Sequence, residues 1–95
     1  MSLKTYPFDA ARYLDNDESI AGFMEAAFET GDAAEITHAF GIAARAKGMT
    51  QIAKDAGLSR ESLYRALDEH GNPEFATVLK VAKALGLRLT TVAAG

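Results

Sequence analysis

One pattern constrains this chain more than any other: an apolar stripe at helical spacing, closed by a glycine, repeated five times. Ile20, Phe23, Met24, Ala27 and Phe28 fall at i, i+3, i+4, i+7 and i+8, and Gly31 follows them. That spacing sets all five on one side of a helix. Glycine then ends the helix, because it takes the left-handed backbone without the penalty of a Cβ. Ile36, Ala39, Phe40, Ala43 and Ala44 repeat the stripe before Gly48. Ile52, Ala53 and Ala56 precede Gly57, and Leu63, Ala66 and Leu67 precede Gly71. Phe75, Val78, Leu79, Ala82 and Leu85 precede Gly86. The pattern predicts an all-α fold of five helices. At 95 residues the chain has the length of one small domain, so residues 1–95 read as a single unit with a modest core.

The residues before each stripe are the ones that start helices. Asp15 or Asn16 caps the first, with Asp17 and Glu18 placed where the helix dipole favours acids. Asp32 caps the second, with Glu35 as the reciprocal end of a capping box. Within that helix Gly41 costs about 1 kcal/mol relative to alanine. Thr50 caps a short third helix to about Ala56, and Ser59 caps a fourth, which Gly71 and Asn72 break. Pro73 takes the first position of the fifth, where its missing N–H does no harm. Residues 1–14 show no period and read as an arm that carries Tyr6, Phe8 and Tyr13. The tail, 87–95, contains "LRLTTV", weakly alternating and rich in β-branched residues. It reads either as a short strand, pairing with the same segment of a second copy, or as an extended tail.

Several chemistries have no residues to carry them. There is no cysteine, and His38 and His70 lie far apart without a ligand-spaced partner, so no metal or cofactor is expected. No nucleophile–base pair or phosphate loop appears, and a small-molecule ligand and an enzymatic role are not expected either. No apolar run approaches ~18 residues, so the expectation is a cytoplasmic protein without a membrane span. The net charge of −3 is unevenly spread. Residues 1–44 hold two bases against eight acids, while residues 45–95 hold eight bases against five acids. Two surfaces with different partners are the functional reading of that split. The plain reading is chance.

The basic half contains "AGLSRESLYRAL", residues 56–67. A helix-turn-helix needs a residue free to take positive φ, then a buried apolar residue, then a helix cap. Gly57, Leu58 and Ser59 supply these in order, within a unit spanning 49–69. With Leu63, Ala66 and Leu67 turned inward, Arg60, Glu61, Ser62, Tyr64 and Arg65 face outward. Arginine binds guanine bidentately, glutamate accepts from cytosine N4, and serine reaches base edges or phosphate. Tyr64 suits a thymine methyl or a phosphate. The alternative is a solvated face on a packed helical hairpin. Asn72 lies where it would meet phosphates, whereas Lys80 and Lys83 read first as solubilising charges.

"MTQIAKDAGLSRESLYRAL" followed by "GNPEFATVLKVAKALGLRL" resembles the helix-turn-helix of the Xre/Cro-repressor family. From "FDAARYLD" to "GLRLT" the chain resembles the narrower family of addiction-module antidote proteins, the HigA-like antitoxins. The resemblance implies a five-helix, lambda-repressor-like domain and a homodimer that represses its own operon at a palindromic operator. It also implies a RelE/HigB-like ribonuclease toxin as partner. It carries the recognition role onto Ser59, Arg60, Glu61, Ser62, Tyr64 and Arg65, and a loop contact onto Asn72. Thr50 and Gln51 complete the expected DNA-contacting set. Yet "TQIA" is two residues shorter than in many relatives, which moves Gln51 off the phosphate-clamping register. Tyr6, Phe8, Tyr13, Leu87 and Leu89 are the candidates for toxin or dimer contact. RelE-like toxins are usually basic, which suits the acidic half. Two further readings stand beside the antitoxin: a free-standing transcription regulator, and an adaptor whose helix-turn-helix no longer reads DNA.

Overall fold

A computed structural model describes residues 14–94. Within them the chain forms five α-helices: α1 (Asp17–Glu29), α2 (Ala33–Lys47), α3 (Met49–Ala56), α4 (Arg60–Ala66) and α5 (Phe75–Ala84). The aromatic arm residues Tyr6, Phe8 and Tyr13 lie outside the described residues.

Helix starts follow local hydrogen bonding. Asn16 Oδ1 accepts from the Ser19 N–H at 2.8 Å, and the Asn16 N–H donates to Ser19 Oγ at 3.3 Å, a complete capping box. Asp32 caps α2 by accepting from the Ala34 N–H at 2.9 Å and from the Glu35 N–H at 3.5 Å. Its own N–H donates to Thr30 Oγ1 at 3.1 Å, so the reciprocal partner expected of Glu35 comes instead from the preceding turn.

Three expectations about helix ends are corrected. α4 does not run to Gly71: it ends at Ala66, because Leu67 at φ −101°, ψ 9° already leaves the helix and a separate turn follows, with the Gly71 N–H donating to the Asp68 carbonyl at 2.7 Å. Thr50 does not cap α3. Gly48, at φ 115°, is both the last turn of α2 and the N-cap of α3, so Thr50 already lies inside the helix. Pro73 does not begin α5, because Glu74 is still extended at φ −63°, ψ 153° and holds the N-cap position. Of the two readings of the tail, a strand or an extended tail, the single chain forms no strand over 87–92, and there is none among the described residues. Gly86, at φ 83°, turns the chain so that the Leu87 N–H donates back to the Ala82 carbonyl at 2.9 Å. That donor belongs to the end of α5, and Leu87 and Leu89 rest half-buried on the core.

The helices share one apolar core. α3 packs on α2, α4 and α5, while α1 packs on α2. Phe40, Ile52, Leu63, Val81 and Leu85 are fully buried together with Ile20. Phe28 is partly exposed, yet its ring meets Phe40 edge-on at 6.0 Å and 89°, a favoured aromatic geometry. Gly41 is explained by packing: a Cβ there would lie 3.3 Å from the Leu67 carbonyl oxygen. The end of α4 approaches α2 closely because that side chain is missing. Lys47 Nζ donates to Asp17 Oδ1 at 2.7 Å and ties the end of α2 to the start of α1. Being partly exposed, this pair contributes no more than about 1 kcal/mol. Among the described residues no helix is long and apolar enough to cross a membrane.

Candidate nucleic-acid interface

The surface around α4 is built by the three residues that join it to α3. Gly57 takes the left-handed region, φ 73°, ψ 31°. A Cβ would strain the backbone at that angle. The Leu58 N–H then reaches back to the Ala53 carbonyl at 2.8 Å, and Leu58 packs against the core. Ser59 Oγ accepts from the Ser62 N–H at 3.0 Å and starts α4 in its new direction.

The apolar positions of α4 decide what remains outside. Leu63 and Leu67 are buried and Ala66 is half-buried. Arg60, Glu61, Tyr64 and Arg65 are consequently exposed. Ser62 is half-buried, and Ser59 Oγ donates to Ser62 Oγ at 2.9 Å. Both serines are thus engaged in the cap. Arg60 and Tyr64, one turn apart, are brought together. The guanidinium carbon lies 5.5 Å from the ring centroid, and Arg60 Nη2 donates to the Tyr64 hydroxyl at 3.4 Å.

The flanking candidates are accessible but separate. Thr50 and Gln51 are exposed in the first turn of α3. Gln51 Nε2 donates to Asp55 Oδ1 at 2.8 Å, so its amide is paired along its own helix. Asn72 is exposed in the loop before α5. That loop is tight: a Cβ on Gly71 would fall on the Ala66 carbonyl oxygen.

α5 holds what the sequence reading missed. Phe75 and Leu79, both assigned to the inner stripe, are 71% and 43% exposed. Val81, Ala82 and Leu85 are buried, with Val78 packed against them. This line also has helical spacing, at i, i+3, i+4 and i+7, and was visible in the sequence as a second phase. It leaves Phe75 and Leu79 as an apolar strip, one turn apart on the neighbouring flank.

The charge split is carried on the surface. Asp17, Glu18, Glu25, Glu29, Asp32 and Glu35 are exposed on α1 and the start of α2. Lys54, Arg60, Arg65, Lys80 and Lys83 are exposed on α3, α4 and α5.

Residues 4–93 match the family described as "probable addiction module antidote protein". An uncharacterized protein of Haemophilus influenzae is 48% identical over 81 residues, covering 85% of this chain and 84% of the relative. No solved structure gives a significant match.

Proposed function

Since this chain belongs to the family of probable addiction module antidote proteins, we propose that it neutralises a RelE/HigB-like ribonuclease toxin and represses its own operon through DNA. α3, the Gly57–Ser59 turn and α4 act as the helix-turn-helix, with α4 in the major groove. The observation that carries the DNA reading is the exposed set Arg60, Glu61, Tyr64 and Arg65 on a helix whose apolar side is fully used by the core. Two arginines near one helix supply both base-edge and phosphate contacts.

Binding of a duplex from the chain's own promoter, followed by fluorescence anisotropy, tests this. Wild type is expected to bind and to weaken steeply with salt, because neutralised phosphates release counterions. The Arg60→Ala/Arg65→Ala variant is expected to lose most of that affinity. Equal binding by wild type and variant, or a flat salt response, would sink the DNA reading.

The acidic surface of α1 and the start of α2 suits a basic toxin, since opposite charge speeds encounter. The chain acts as a homodimer on two half-sites about one helical turn apart. The strip of Phe75 and Leu79 supports that reading as an apolar surface in need of a partner. Coexpression with the nuclease encoded beside it tests the toxin reading: the chain is expected to restore growth and to copurify with it.

A further inference from the structure

We propose that Tyr64 is a positioning residue that holds Arg60 for base readout and does not itself read the base. The proposal rests on the DNA reading above and deepens it. Two contacts between this one pair carry it. The Arg60 guanidinium carbon lies 5.5 Å from the Tyr64 ring centroid, within the range of a cation–π interaction. Arg60 Nη2 also donates to the Tyr64 hydroxyl at 3.4 Å, a long bond that brings that end of the guanidinium to the ring's hydroxyl edge.

The consequence follows from the cost of order. A free arginine loses much rotamer freedom when it forms a bidentate contact. One already laid against a ring one turn away loses less on binding. The fork of the guanidinium is planar and donates along its edge, while the ring is met at its face. With one Nη2 hydrogen on the Tyr64 hydroxyl, the guanidinium keeps its remaining donor edge for a guanine O6 and N7 pair. Arg65 and Glu61 have no comparable support: among the described residues neither forms a side-chain hydrogen bond or ion pair. Arg60 is the side chain of this surface set up in advance, and specificity concentrates on the base pair that it meets.

Tyr64 is 41% exposed and is not one of the fully buried core residues, so its replacement leaves the fold intact, which circular dichroism verifies. The experiment is a double-mutant cycle of Arg60→Ala and Tyr64→Ala on the full chain. Affinity is read by anisotropy on the promoter duplex and on duplexes changed at one base pair at a time. Arg60→Ala is expected to abolish discrimination at one base pair. Tyr64→Ala is expected to reduce discrimination at that same base pair by about 2- to 5-fold, the size of an exposed cation–π contact. The salt slope and discrimination elsewhere stay unchanged. Tyr64→Phe, which keeps the ring, is expected to keep most of the discrimination of wild type. In the Arg60→Ala background Tyr64→Ala has no further effect. Additive effects, or a uniform loss across all base pairs, would show that Tyr64 contacts DNA on its own and would overturn the proposal. Absence of sequence-dependent binding by wild type overturns the DNA reading as well, and is distinct from an additive cycle.

Discussion

Two glycines inside helices show how the same residue has opposite meanings. Gly22 lies in α1 with nothing within 4 Å of a Cβ built on it, while Gly41 lies in α2 with the Leu67 carbonyl oxygen 3.3 Å away. Alanine in an open helix gains about 1 kcal/mol over glycine. Gly22→Ala is expected to realise that gain, raising Tm by roughly 4–8 °C for a domain of this size. Gly41→Ala is expected to show no gain, because the carbonyl is backbone at the end of α4 and yields only by moving that helix. Urea denaturation of both variants decides it, and a full gain at Gly41 would refute the close approach. Both positions look alike in the sequence. Only the neighbour across the core separates them.

At the scale of elements, the α3–α4 turn was the most legible part of the chain. Its requirements are local: positive φ at Gly57, partial burial of Leu58 against the core and a cap at Ser59. Each is a property of one residue type. Gly57→Ala is expected to lose about 1–2 kcal/mol through left-handed strain. Ser59→Ala is expected to lose about 1 kcal/mol through the vacated Ser62 N–H. Both losses would appear as lower midpoints in chemical denaturation with an unchanged slope. Helix ends elsewhere were less legible because several residues competed for the same role. Thr50 is a good cap by type, but Gly48 ends α2 and starts α3 in one step, which leaves no room for a separate cap. The composition of the tail leaves a strand and an extended tail both open, and in the single chain Leu87 commits its N–H to the end of α5.

At the scale of the whole molecule, the strip on α5 bears on assembly. Phe75 and Leu79 are large, apolar and adjacent, and neither adds to the buried core. If the strip joins two copies, wild type is expected to show concentration-dependent association by sedimentation velocity, and Phe75→Ser to remain a monomer with the thermal midpoint of dilute wild type. A variant that associates as wild type does would place the dimer contact elsewhere. The same scale explains the buried side of α5. Of the stripe Phe75, Val78, Leu79, Ala82 and Leu85, the core takes Val78, Ala82 and Leu85, adds Val81 and leaves Phe75 and Leu79 outside. Packing of α5 against α3 sets that rotation.

By itself the sequence determined the number of helices, most of their ends, the turn before α4 and the face of α4 left free of the core. These depend on spacing and on single-residue chemistry, which act over one or two turns. Family membership was legible too, through the residues of that turn and of α5. The tertiary structure alone decided which α5 residues of the stripe are buried, why Gly41 is a glycine, where the tail's donor goes and that Arg60 lies over the Tyr64 ring. Each of these depends on a second group whose position relative to the first is set by packing, through distances that no one-dimensional spacing encodes.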